Sequence, residues 1–224
     1  VDVIFCSGGN KSFARIALAE GFRYGLRSDY VPYWKPYMVD INWKSYDWKE
    51  YLDKLTRWQP VMAMIPDYEA PEQQGSIVAR AMQLVAMGIE RVMVCPKFAG
   101  AIFDIPDWCV VAVSVPSRYS GYLPSIKELA GRRVHLLGGS PRDQGDLIRY
   151  YGGHGIDVMS VDVNMHLKAA MHGTFYSGRK WRNLGAGAMT SEDAFRLSCQ
   201  GIIRALALAN DAVHKTRKAR GIGN

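Results

Sequence analysis

Three aspartates stand at or just past the end of short apolar runs: Asp40 after Tyr37-Met38-Val39, Asp67 after Val61 to Pro66, and Asp162 after Ile156 to Val161. A carboxylate at the carboxyl end of a buried strand is where barrel enzymes place catalytic groups, because those ends open on one face. Each could instead cap the helix that follows it. Three at equivalent points argue for convergence on one cleft. Two carboxylates facing an anomeric carbon form a chemical unit, one attacking C1′ as a nucleophile while the other manages protons or the departing group. A third can accept hydrogen bonds from the N–H edge of a purine-like base. Tight backbone is expected at the same rim, from Gly138-Gly139 and from Ser114 to Gly121. Glycine there lets the main chain approach a flat ligand closely.

The elements that must position these residues are short and nearly all apolar, as strands buried on both faces should be. Eight are read, over Val1 to Phe5, Phe22 to Leu26, Tyr37 to Asp40, Val61 to Pro66, Arg91 to Cys95, Cys109 to Val115, Arg132 to Leu137 and Ile156 to Val161. Helices alternate with them, over Ser12 to Glu20, a stretch ending near Arg57, Pro71 to Met87, Pro124 to Ala130 and Asp143 to Tyr151. Alternation of this kind means a parallel sheet, and eight strands favour a closed (β/α)8 TIM-like barrel, reduced in size, over an open sheet. The segment after Gly173 reads as a basic, glycine-rich loop. Thr190 to Ala219 reads as a closing helix whose buried stripe includes Phe195, Ile202, Ile203, Leu206 and Val213.

With 224 residues, 48% hydrophobic and 22% charged, the chain is expected to be one globular barrel domain over 1–224 with a basic tail at about 214–224. No apolar run approaches the roughly 20 residues a membrane span needs, and the opening VDVIFCSGG reads as a strand rather than a leader. Four scattered cysteines, with no C-x-x-C pair, argue against structural zinc and a disulfide scaffold and fit a reducing cytoplasm. The net charge of +7 is clustered: Arg179, Lys180 and Arg182 flank Trp181, and Lys215, Arg217, Lys218 and Arg220 lie in the tail. Basic residues beside aromatics suit a nucleic-acid backbone and unstacked bases, although a solvated helix end has the same composition.

Several short motifs, in order, resemble the tRNA-guanine transglycosylase superfamily, and most its bacteriophage branch that inserts 7-deazaguanines into DNA. SVDVNMHLKAAMHG places Asp162 and Gly173 at the spacing of the family's nucleophile and the glycine that follows it. VHLLGGSP (Val134 to Pro141) resembles its strand and glycine turn, VMAMIPDYEAP (Val61 to Pro71) the strand of its base-binding aspartate, and YMVD (Tyr37 to Asp40) that of its proton-managing acid. The resemblance implies that Asp162 and Asp40 are catalytic and that Asp67, Ser114, Gly138 and Gly139 bind the base. Lys168 stands where the family often has an arginine, which implies a phosphate contact there; the charge cluster adds Arg179, Lys180 and Arg182 as expected nucleic-acid contacts. The implied reaction is base exchange without cofactor or metal, guanine being replaced by a base such as 7-cyano-7-deazaguanine through a covalent aspartyl intermediate. Stacking candidates are Trp43, Tyr46, Tyr68, Phe98 and Tyr119. The chain departs from the family at Ile41-Asn42-Trp43, where a serine and two glycines are usual, and it lacks the family's zinc motif and RNA-binding domain. The first departure bears on base recognition beside Asp40; the missing zinc motif and RNA-binding domain favour DNA over tRNA as acceptor, and the bacteriophage branch implies the host cytoplasm as location. A minimal barrel also offers little surface for a duplex, so a homodimer or partner subunits are expected to help.

Two other classes compete. Phe5 to Ser12 carries a strand followed by Ser7-Gly8-Gly9-Asn10-Lys11, similar to the pyrophosphate loop of ATP-using adenylating enzymes, with lysine where those loops carry aspartate. A non-catalytic nucleic-acid-binding module would use the basic residues but leave three acids at the rim unexplained. His166 and His172, six apart, have poor spacing for a metal on one helical face. Cys6 has no partner in the sequence that would activate it.

Overall fold

Eight parallel strands pair in chain order and close on themselves: Asp2–Ser7 (β1), Arg23–Arg27 (β2), Met38–Asp40 (β3), Met62–Met64 (β4), Arg91–Val94 (β5), Val110–Ser114 (β6), Arg133–Leu137 (β7) and Asp157–Val163 (β8). β8 returns to β1, with Ile4 opposite Asp162. The computed structural model describes residues 1–220 apart from Gly8, Trp43, 116–120, Leu184, Ala186 and Gly187. The expected (β/α)8 barrel is therefore the fold, and the strands follow the apolar runs because both of their faces are buried. β4, Met-Ala-Met, is buried throughout.

Helices Lys11–Ala19 (α1), Trp48–Trp58 (α2), Gln74–Ala86 (α3), Ile126–Leu129 (α4), Pro141–Gly153 (α5), Met165–Ala170 (α6) and Ser191–Ala219 (α7) form the outer layer. Side chains satisfy the first free N–H groups of five of them: Asn10, Asp47, Ser125, Ser140 and Thr190 accept from the third residue of their helices, each cap contributing about 1 kcal/mol. The aspartates at the rim are not among these caps, which removes the plainest alternative to a functional role for them. The barrel is reduced where β2 passes to β3 through 28–37 and where β5 passes to β6 through a short 3-10 turn, Ala101–Asp104. Among the described residues, no helix is long and apolar enough to cross a membrane.

α7 closes the ring, burying Phe195, Ile202, Leu206 and Val213 while Ile203 is only partly buried. Its approach to α5 is close: a Cβ on Gly152 would lie 2.7 Å from Val213. Two basic tail residues are structural. Arg217 donates to the Gly152 and Ile156 carbonyls and Arg220 to that of Gly153, so both guanidiniums satisfy the carboxyl end of α5. The basic tail is thus largely the last turns of a helix, and only 221–224 lie outside the described residues.

The segment after Gly173 corrects the expectation of a loop. Thr174–Tyr176 (β9) and Trp181–Asn183 (β10) form an antiparallel hairpin, with Trp181 opposite Tyr176 and their rings 5.3 Å apart. An aromatic cross-strand pair and a left-handed Gly178 outweigh the polar composition that suggested irregular chain.

Candidate active site

Asp162 is the sixth residue of β8, not the residue after it, and its side chain is buried. Its Oδ1 accepts the Gly138 N–H at 2.7 Å. That donor is free because Gly138 and Gly139 turn the chain away from β7 with φ of +61° and +80°. A Cβ at Gly139 would stand 2.3 Å from Val115, so the turn tolerates no side chain there. Gln144, fully buried in α5, donates to both the Gly138 and the Asp162 carbonyls (2.7 and 2.8 Å), tying the turn to the strand. On the other side His135 Nε2 lies 3.5 Å from Asp162 Oδ1, and His135 Nδ1 lies 2.8 Å from Ser160 Oγ. A register shift between β7 and β8 sets His135 opposite Ser160.

Asp40 ends β3 and is half-buried. Burial first, then the charges of Asp162 and Asp67, lift its pKa to about 7, against the pull of the Ile41 N–H and Arg27. The three acids thus belong to one electrostatic site at the mouth of the barrel. Cys6 shares it: burial and the charges of Asp162 and Asp40 push its thiol well above the usual range, which disfavours a thiolate nucleophile.

Asp67 lies three residues beyond β4 and is half-buried. Burial raises its pKa against the opposing charge of Lys97, whose Nζ stands 3.2 Å from Asp67 Oδ2. The same Nζ donates to Ser114 Oγ at 3.2 Å, and Cys95 Sγ lies 3.5 Å from that hydroxyl. Ser114 therefore does reach the site. Beside Asp67 opens a pocket of about 120 Å³ walled by Tyr46, Pro66, Gln73, Ile77 and Arg80.

Of the aromatic candidates, Tyr68 is fully buried, edge-on to Phe98 at 4.9 Å, with its hydroxyl donated to Asp104. It is packing and offers no free ring face. Tyr46 is exposed beneath Arg80, whose guanidinium also stacks on Trp48. Trp43, Tyr119 and most of the stretch after Ser114 lie outside the described residues, as does Gly8 of the loop that resembles an ATP-binding turn. Lys168 is exposed on α6. Arg179, Lys180 and Arg182 are exposed on the hairpin, whose strand β9 packs on α6 and α7. Among the described residues no group of three His, Cys, Asp or Glu side chains is arranged to hold a metal ion. His166 is instead enclosed by Phe5, Phe22 and Phe195, and burial drops its pKa to about 3.

No sequence motif assigns His135, Ser160, Lys97 or Gln144 to this site. Strand alternation held a signal for Ser160, two residues before Asp162 and so on the same face. Residues 17–207 match the profile of a family described as "Family of unknown function (DUF6610)". No curated protein matches the chain.

Proposed function

We propose that this chain, which belongs to the DUF6610 family, is a pentosyltransferase that exchanges guanine in DNA for a 7-deazaguanine such as 7-cyano-7-deazaguanine. One observation carries the reading. An acid that accepts a main-chain N–H, Asp162, shares a barrel mouth with a second acid, Asp40, whose pKa burial and neighbouring charge lift to about 7. A pair of carboxylates of which one is raised toward neutrality suits a division into a nucleophile, Asp162, and an acid–base group, Asp40.

In the first displacement an Asp162 oxygen attacks C1′, the C1′–N9 bond breaks, and guanine leaves with the electron pair and a proton from Asp40. In the second, N9 of the incoming base attacks C1′, its proton passes to Asp40, and Asp162 leaves as carboxylate. Two inversions retain configuration. Asp67, with Lys97 and Ser114 beside it, accepts from the N–H edge of the base. Lys168 and the hairpin residues Arg179, Lys180 and Arg182 hold phosphates, and the target guanine leaves the stack at a cost of a few kcal/mol.

The test is incorporation of labelled guanine or 7-cyano-7-deazaguanine into duplex DNA, with tRNA in parallel and no ATP. Label is expected in DNA, with a covalent adduct on the wild-type chain. Asp162→Ala should give neither while still binding DNA. Equal incorporation by the variant sinks the nucleophile. Label in neither acceptor, with ATP cleaved to AMP and pyrophosphate, would favour the loop at Ser7 to Asn10.

A further inference from the structure

His135 is fully buried, and its Nε2 has no hydrogen-bond partner although it is aimed at Asp162 Oδ1 from 3.5 Å. An unpaired buried nitrogen costs free energy, so the position calls for an explanation. Ser160, also fully buried, sits 2.8 Å from the other ring nitrogen. If Nδ1 carried the proton, the Nε2 lone pair would face a carboxylate oxygen. If Ser160 donates to Nδ1, Nε2 carries the proton and points a donor at that oxygen. Electrostatics select the second tautomer.

We infer that Ser160 and His135 form a positioning pair that makes Asp162 a better leaving group in the second half of a double displacement. The inference rests on the transglycosylase reading above. When Asp162 is esterified to C1′ it carries little charge, and the His135 donor gains little from it. As the incoming N9 attacks, the C1′–oxygen bond breaks and its electron pair returns to Asp162, while the N9 proton goes to Asp40. Charge then develops where the Gly138 and His135 donors point. Both donors also steady the resting carboxylate, so they assist the second displacement more than the first.

Formation and breakdown of the covalent DNA adduct, followed separately, distinguish the outcomes. His135→Phe fills the space without a donor. It should still form adduct, but added base should discharge it about a hundredfold more slowly, the lower end of the range for losing one donor to developing charge. His135→Gln, with an N–H at similar reach, should restore most of the rate. Ser160→Ala should slow discharge less, and it carries the test if His135→Phe does not fold. Unchanged discharge in both His135→Phe and Ser160→Ala, with adduct on the wild type, overturns this inference alone. A wild type that forms no adduct overturns the transglycosylase reading and the inference with it.

Discussion

Lys97 Nζ lies 3.2 Å from Asp67 Oδ2, an ion pair about three-quarters buried at the barrel mouth. Burial works against the Lys97 charge, yet Cys95 and Asp67 outweigh it and hold its pKa above the ordinary lysine value. Lys97 in turn opposes the burial that raises the pKa of Asp67. The ammonium therefore keeps Asp67 available as an acceptor.

Lys97→Met should thus leave Asp67 protonated more often near neutrality and weaken its hold on the N–H edge of a free base. The KM for the free base should rise about tenfold to a hundredfold, as for losing one charged hydrogen bond, while kcat at saturating base changes less. The defect should shrink as pH rises and Asp67 ionises. Incorporation kinetics at two pH values, varying the base concentration, check it. An unchanged KM would remove the pair from base recognition.

How much of this site was legible follows from what fixes each residue. The eight apolar runs and the three acids report buried strands and their open ends, and both are local in sequence. The apolar run predicts an eighth strand that stops at Val161, because Asp162 looks like a strand end although it lies within β8 and is buried. Lys97 and His135 depend on neighbours 30 and 27 residues away in the chain, a distance at which only the closed ring says who meets whom. The hairpin over Thr174–Asn183 is not legible in the sequence, because its polar, glycine-rich composition hides an aromatic pair that forms only across the turn. Charge alone also does not show that Arg217 and Arg220 bond the carbonyls of α5, because those partners lie more than 60 residues earlier in the chain.

The raised pKa of Asp40 is also a stability statement. With a folded pKa of about 7 against an ordinary 3.8, the native state binds this proton more tightly than the unfolded chain does. The stability linked to it is full below about pH 4 and is lost as pH rises through 7, a loss of at most about 4 kcal/mol. Asp40→Asn removes the titration. The variant should be more stable than the parent at pH 8, with a gain that shrinks toward pH 5, and it should be inactive if Asp40 moves the proton. Thermal denaturation at both pH values checks the sign. A gain independent of pH would mean that Asp40 is not the group under strain.

Arg217→Ala separates structure from nucleic-acid contact in the basic tail. Two charge-assisted hydrogen bonds to the Gly152 and Ile156 carbonyls would be lost, costing about 1.5–3 kcal/mol. The Tm should fall by roughly 3–10 °C for a chain of this size, with DNA affinity at a given salt concentration unchanged. Lys180→Ala should do the reverse, leaving Tm alone and lowering the salt slope of binding by about 1. A loss of affinity in Arg217→Ala with Tm intact would return the tail to the binding surface.

Gly201 is where the hairpin is seated. It lies in α7 directly under β9, and a Cβ there would stand 2.0 Å from the Tyr176 carbonyl oxygen and 2.8 Å from the Gly178 nitrogen. Both are backbone atoms, so the strand itself must move. Moving it also strains the bond from Tyr176 N–H to Ser198 Oγ, which is buried. Gly201→Ala should therefore lift the hairpin from α7 at a cost of about 2–4 kcal/mol, within the range for overpacking and a broken buried hydrogen bond. The barrel has its own closed ladder of strands and should keep its far-UV circular dichroism. Trp181, half-buried against Tyr176, should become wetter and its fluorescence shift to the red. If Arg179, Lys180 and Arg182 must be held in place to grip a backbone, DNA affinity should fall nearly as far as in the variant lacking all three charges. Leu208→Ala, an exposed change on the same helix, should alter neither signal. Shifted fluorescence with intact affinity would mean that the basic hairpin does not contact the nucleic acid.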